Sequence, residues 1–471
     1  MVINISSALS EAVATLGVDW NAFPPERPSP PKQSSEIMTD VASSKFPNCD
    51  TWRSRLLNYV DEHATEIITD LAELVRIPSV SGSDSEIDIQ HLLADRMSTM
   101  NLDVDTWQIA LDETLAEPDF PGVEVARSEA WGVVGRVPGH GSGPSLMLNA
   151  HADVVPPGDL LSWEGADPFN GRVTGDTVEG RGSCDMKAGL IASLWAVRGL
   201  TELKVPLRGD LVLATVVGEE DGGLGTYALL RRGWRADACV IPEPTSLDIA
   251  PASAGALTFR ITVPGAATHA SRRLSGVSAI EKFIPIFSAL RRLEKERNTI
   301  KHPLATRWEL PTPIEIGTIT AGDWASSVPD TLKADGRIGV AIGEDIATAR
   351  RALEEAVSTV CQDDSWLRDH PATVEWWGGQ FASGSTDLDS SIIATVRRCH
   401  ADVAGAPQTM WATPYGSDLR LMQGIGNVPT IHYGPGDAEL AHSPRERVPT
   451  DELLTATRAL ALIAIDHCGL S

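Results

Sequence analysis

LVLATVVGEEDGGLGT, Leu211 to Thr226, decides how the chain is read. It opens as a continuous apolar run and ends in three adjacent acids, Glu219, Glu220 and Asp221, followed by two glycines. An apolar run of this length, bounded by turn residues, reads as a strand buried on both faces. Three carboxylates at the end of such a strand repel one another and are costly to desolvate. Their placement asks for a positive partner.

Neighbouring segments repeat the arrangement. SLMLNAHAD (145–153) delivers His151, with Asp153 two residues on, and ADACVIPEPT (236–245) presents Glu243 between two prolines. GRGSCDMKAG (180–189) sets Asp185 between a glycine-rich turn and the helical stretch KAGLIASLWAVRGLTEL. WGVVGRVPG (131–139) adds a further strand. Upstream, RLLNYVDEHATEIITDLAELVRI (55–77) has helical spacing at Leu56, Val60, Ile67, Leu71 and Leu74, and IDIQHLLADRMSTM reads as a second helix. Apolar strands alternating with helices predict an α/β fold, a mainly parallel sheet with helices on both faces. Ligands bind such sheets at the carboxyl ends of the strands.

A second texture begins near Ala256. LTFRITV, a long helix over SGVSAIEKFIPIFSALRRLEKERN, then PIEIGTITAG, TLKADGRIGVAI, the helix DIATARRALEEAVSTVC and ATVEWWGG follow in the order β-α-β-β-α-β. That order predicts a ferredoxin-like α+β unit. Helix and strand then resume, with PTIHYGPG as a late strand and LLTATRALALIAIDHC as the closing helix. The expected organisation is a catalytic domain split over 51–255 and 381–471, with a domain inserted at 256–380. Residues 1–50, which include the proline-rich NAFPPERPSPPKQSSE, read as an extended arm.

At 471 residues the chain is too long for one ordinary core, which agrees with two domains. Asp plus Glu number 64 against 39 Lys plus Arg, a formal charge of -25. Such a chain repels phosphate backbones and anionic lipid, which excludes nucleic acid and membrane as expected partners and favours a divalent cation. No apolar run approaches the roughly 18 residues of a membrane span. The start, with Glu11 and no basic stretch, is unlike a signal peptide. The six cysteines form no CxxC pair and read as reduced thiols, so a cytoplasmic location is expected.

Each strand-end group has an ordinary reading of its own: a core histidine, an N-cap aspartate, a solvated glutamate. Their coincidence at one rim points to metal. Imidazole and carboxylate donors, with no Cys at ligand spacing, suit Zn²⁺ or a similar divalent ion. A late loop, DAELAHSPRE, contributes His442. Five ligands exceed what one catalytic zinc takes, so two ions about 3.5–4 Å apart and bridged by one carboxylate fit better.

The set HAD, GRGSCDMKAG, VVGEEDGG, IPEPT and AHSPRE resembles the dinuclear-zinc deacylases and exopeptidases. That family includes acetylornithine deacetylase, succinyl-diaminopimelate desuccinylase and carboxypeptidase G. The resemblance runs over residues 55–468. The stretch GDWASSVPDTLKADGRIGV looks most like the acetylornithine-deacetylase-like branch, some members of which deformylate an aminopyrimidine. The resemblance implies that His151, Glu243 and a bridging Asp185 hold one metal, and that Asp185, Glu220 and His442 hold the other. It implies Glu219 as general base and Asp153 as hydrogen-bond partner of the free ring nitrogen of His151. His269 in PGAATHAS would stabilise the developing oxyanion across a dimer interface made by the inserted domain. Arg337 would hold a substrate carboxylate, and Gly416 and Ser417 in PYGSDLR would form the substrate loop. Many relatives carry Asn three residues before this proline, where SSVP places Ser326, so the resemblance does not extend to the substrate contacts of acetylornithine deacetylase. The implied activity is hydrolysis of a small N-acylated amine or amino acid with two divalent ions, Zn²⁺ first and Co²⁺ or Mn²⁺ as substitutes. A dipeptidase or carboxypeptidase with the same site is the alternative within enzymes. A catalytically silent binding homologue is the alternative outside them.

Overall fold

The computed structural model describes residues 49–471. The arm expected over 1–50 lies outside the described residues except for its last two, which open α1.

The first helical stretch is two helices, α1 (Cys49–Glu62) and α2 (Ala64–Val75). His63 separates them with non-helical dihedrals, and its ring Nδ1–H donates to the Tyr59 carbonyl at 2.8 Å. The chain continues through α3 (Asp84–Thr99), β1 (Asp103–Gln108), α4 (Leu111–Leu115), β2 (Trp131–Val137), β3 (Leu146–His151) and the hairpin β4 (Arg172–Thr174) and β5 (Thr177–Glu179). Then come α5 (Lys187–Glu202), β6 (Leu211–Val216), α6 (Leu224–Arg231), β7 (Ala238–Ile241) and β8 (Ile249–Ser253). The segment from β9 (Gly255–Pro264) holds α7 (Ala279–Arg297), β10 (Ile314–Ala321), β11 (Thr331–Val340), α8 (Ile346–Asp363) and β12 (Thr373–Phe381). The last part is β13 (Gly384–Ser385), α9 (Ser391–Ala404), β14 (Met410–Thr413), α10 (Leu419–Gly424), β15 (Thr430–His432), β16 (Arg447–Pro449) and α11 (Thr450–Cys468).

The large sheet runs β1-β2-β6-β3-β7-β15-β8-β13, with β14 also paired to β8. Its centre, β6-β3-β7-β15, is parallel. Its margins are antiparallel at β1-β2, β2-β6 and β15-β8. β2 departs from the expected parallel direction because residues 138–145 are too few for the crossover that a parallel return requires. Every position of β3, β6 and β7 is buried, as their unbroken apolar runs predict. Helices α5 and α11 lie against β3, and α3 and α6 against β2 and β6. Burying leucines such as Leu148, Leu213 and Leu460, all fully shielded, stabilises by about 1.5–3 kcal/mol each.

The second sheet, β10-β11-β9-β12, is antiparallel throughout. Its chain order and strand order are those of a ferredoxin-like unit, and α7 and α8 pack against it. Phe259, Ile261, Ile286, Leu332 and Leu353 form a core of its own. The chain enters this segment at Gly255 and leaves it after Phe381, and the two crossings touch. A side chain at Gly255 would meet the Phe381 carbonyl at 2.2 Å, so only glycine fits there. The sequence expectation of an α/β sheet with a ferredoxin-like unit is met.

Candidate metal centre

The three acids of the opening stretch go to three places. β6 ends at Val216, so Glu219 and Glu220 sit in a turn rather than on the strand, and strand alternation does not separate them. Gly218 at φ 68° makes that turn, and its carbonyl accepts the Gly223 N–H at 2.6 Å. A carboxylate oxygen of Glu219 comes within 4.8 Å of ligand atoms of His151 and Glu243. One of Glu220 does so with His151 and Asp185. Asp221 points elsewhere. Arg127 donates to both its oxygens at 2.9 Å, and the N–H groups of Glu124 and Val125 donate at 3.2 and 3.0 Å. The same guanidinium also pairs with Glu86 at 2.8 and 2.9 Å. The triad is almost wholly buried.

Asp185 stands at the middle of the cluster. Its Oδ1 is 3.2 Å from His151 Nε2, and its Oδ2 is 3.3 Å from His442 Nε2. Glu220 Oε2 lies 3.1 Å from His442 Nε2, and Glu243 Oε1 lies 3.7 Å from His151 Nε2. Each oxygen of one carboxylate thus meets a different imidazole. The loop that presents Asp185 is tied down by Glu446, whose Oε1 accepts N–H groups from Gly182, Cys184 and Asp185 at 2.8, 3.1 and 3.2 Å. The other oxygen of Glu446 pairs with the buried Arg181.

One expected contact is different. His151 Nδ1 bonds the main-chain carbonyl of Asp153 at 2.9 Å, while the Asp153 carboxylate stays 3.7 Å away. A carbonyl can only accept, so Nδ1 carries a proton, and Nε2 is the ring nitrogen turned toward the carboxylates of Asp185 and Glu243. The partner of that Nδ1 is thus the main-chain carbonyl of Asp153, not the carboxylate that the resemblance implied. The carboxylate is free to accept N–H groups from Glu219 and Glu220, both at 3.3 Å, and the Ser81 hydroxyl at 2.9 Å.

The electrostatics match a cation site. Burial raises the Glu219 carboxyl well above its usual range; His151 opposes this, and the charges of Asp418, Glu243 and Glu220 add to it. Burial and the Asp185 charge do the same to Glu243. The Glu220 charge, against the effect of burial and with help from Asp185, lifts His442 to about 11. Carboxylates crowded away from water are costly, and a bound cation relieves that cost. The donors are oxygens and imidazole nitrogens, a set that fits Zn²⁺ or a similar divalent ion.

The cluster opens into a cavity of about 290 Å³ whose walls include Arg337, Glu315, Phe381, Tyr415 and Gly416. The sequence picked Arg337 and Gly416 for this place. A side chain on Gly416 would strike Phe381 at 2.5 Å. Ser417 faces away: it is buried, and its hydroxyl is 2.8 Å from His432 Nε2. His269 lies on an exposed loop with its Nδ1 2.8 Å from the Ser271 hydroxyl, and it is not part of this cavity wall. Sequence reading missed Glu446, Arg127 and Tyr415, whose hydroxyl is buried without a hydrogen-bond partner among the described residues. Glu446 and Tyr415 stood inside the quoted motifs AHSPRE and PYGSDLR. Arg127 had no local signal.

The family model described as Peptidase family M20/M25/M40 matches residues 147–466, more than half of the chain. The chain belongs to that family. It is 27% identical over 439 residues to the N-formyl-4-amino-5-aminomethyl-2-methylpyrimidine deformylase of Halalkalibacterium halodurans, over 88% of this chain and 97% of the relative. It is 30% identical over 266 residues to the succinyl-diaminopimelate desuccinylase of Methylobacterium nodulans, over 54% of this chain and 61% of the relative. Among solved structures the fold is similar to the dipeptidase Dug1p of Saccharomyces cerevisiae, with a TM-score of 0.71 at 14% identity, over 88% of this chain and 98% of that one. As a family member, the chain is a metal-dependent hydrolase of amide bonds. Among the described residues, no helix is long and apolar enough to cross a membrane.

Proposed function

We propose that this protein deacylates a small N-acylated amine or amino acid, in the manner of a deformylase or deacetylase, with two ions and with Glu219 as the base. The observation that carries the reading is Asp185, which offers one oxygen to each of two imidazoles. His151, Glu243 and Asp185 form one metal site; Asp185, Glu220 and His442 form the other. Zn²⁺ is the preferred ion, with Co²⁺ or Mn²⁺ as substitutes.

When bound, the ions polarise the substrate carbonyl and lower the pKa of water. Glu219 takes the proton from the attacking water and returns it to the leaving amine nitrogen. Asp153 steadies the base by accepting the N–H groups of its turn, and its carbonyl holds His151 in the ligating tautomer. Arg337 and Gly416 contact the substrate, and Ser417 braces that wall through His432.

Metal analysis of the purified protein is expected to give about two divalent ions per chain. Glu243→Ala should lose most of one of them, together with activity. Full occupancy in that variant would overturn the ligand assignment.

The reading divides the chain into a catalytic domain, 51–255 with 381–471, and a lid and dimerisation domain, 256–380. Support comes from exposed apolar side chains on that second domain. Ile280, Ile284 and Phe287 lie at helical spacing on α7, and Ile319 is exposed on the edge strand β10. Such a stripe suits a two-fold partner. In the dimer, His269 would serve the other subunit's site. Mixing inactive His269→Ala chains with inactive Glu219→Ala chains should restore up to about a quarter of wild-type turnover per site, as one intact site assembles in each mixed dimer. Mixed dimers that form and stay inactive would remove this role. All six cysteines are free and five are buried, which supports a reducing, cytoplasmic location.

A further inference from the structure

Arg337 does not wait with a free charge. Its Nη2 donates to Glu124 Oε1 at 2.8 Å. Glu315 is its direct cross-strand partner, β10 against β11, and both side chains line the cavity. An isolated surface pair would be worth little, but here the acceptor is held in place. Glu124 Oε1 also accepts the Thr258 hydroxyl at 2.7 Å, and its main-chain N–H is fixed on Asp221 at 3.2 Å. A Cβ at Gly378 would meet Glu124 Cγ at 2.5 Å, so the glycine there leaves room for this carboxylate. Among the described residues, Arg337 is the sole lysine or arginine in the cavity wall.

Two divalent ions would balance the carboxylates of Asp185, Glu219, Glu220 and Glu243. What remains is one guanidinium against Glu124 and Glu315. A substrate carboxylate brought to Arg337 would share that guanidinium with Glu124, which already takes its Nη2, and lie beside Glu315, and like charges so placed are disfavoured. We propose that the cavity selects N-acylated amines with no carboxylate on the fragment that reaches Arg337, so that a neutral or cationic amine is the leaving group. Glu124 is then the specificity-determining residue, acting through Arg337. The proposal rests on the amidohydrolase reading of the site and narrows its substrate class.

The test is a matched pair, N-formylphenylalanine and N-formylphenethylamine, which differ by one carboxylate. Both are titrated calorimetrically into full-length, Zn²⁺-loaded Glu219→Gln protein, which is expected to bind substrate with turnover lowered by about 10²–10⁴. The carboxylate-free compound should bind about tenfold tighter or more. Adding Glu124→Gln should move the ratio at least about tenfold toward the acid by releasing Arg337. Tighter binding of the acid while Glu124 is present, or a ratio unmoved by Glu124→Gln, would overturn the proposal. Turnover with Glu219 intact is scored separately. Hydrolysis of neither compound despite binding counts against the proposed function, whereas the binding ratio alone decides selectivity.

Discussion

Glu219→Gln is expected to keep both ions and bind substrate, yet lose on the order of 10²–10⁴ in turnover, the range that general acid–base catalysis supplies. The substitution preserves size and the N–H contacts of the turn with Asp153. It removes only the ability to accept a proton. Glu220→Gln should fail in another way. Its carboxylate lies 3.1 Å from His442 Nε2 and is assigned to an ion, so the variant should lose affinity for that ion and recover partly with added metal. Turnover and metal content measured side by side separate the two. Near-normal turnover in Glu219→Gln, or metal loss confined to it, would reverse the assignment of the neighbours.

Arg127→Met should lower the free energy of unfolding by about 3–5 kcal/mol, the usual penalty for stranding a buried charge. Arg127 serves two carboxylates at once, and both are almost wholly shielded from water. Even with Arg127 present, burial holds the Glu86 carboxyl up at about 7. Methionine keeps the apolar stem but not the guanidinium, so the loss combines the stranded carboxylates with a small void. Adding Glu86→Gln should return part of the stability, since one of the two stranded acids is then gone. Arg127→Lys should still be costly, because a single ammonium cannot make both bidentate contacts. Turnover should fall as well, for Asp221 is the anchor of the turn that carries Glu219. Urea unfolding and turnover of the three variants check this; a loss below about 1 kcal/mol in Arg127→Met would mean that the triad is not paired in solution.

The contrast between these two sites explains what the sequence could reveal. The residues that gather in the candidate site, His151, Glu219, Glu220 and Glu243, lie at or just beyond the ends of unbroken apolar runs, so they could be picked from local pattern alone. The ferredoxin-like unit was legible because each of its elements is long and periodic. Arg127 was not: it lies in an irregular loop, and its two partners are 41 and 94 residues away. Nothing in ARSE marks a side chain that will be enclosed by tertiary packing. The break at His63 was hidden for a similar reason, since the apolar spacing continues across it and only the dihedrals change. Ser417 shows the reverse error. A motif placed it at the substrate, but the turn sends its hydroxyl inward to His432.

The order of strands in the large sheet also governs how the protein can be made. β15, close to the end of the chain, lies between β7 and β8. Until Thr430–His432 have left the ribosome, β7 lacks a neighbour on one side, and its bare parallel edge can pair with another chain. The segment from β9 to β12 has its own core and is synthesised earlier, so it can fold during the wait. Closure of the larger sheet then joins residues nearly two hundred positions apart, a pairing of high contact order that slows the final step. A nascent or truncated chain ending before β15 is thus an aggregation hazard, with all but one of the proposed metal ligands already synthesised.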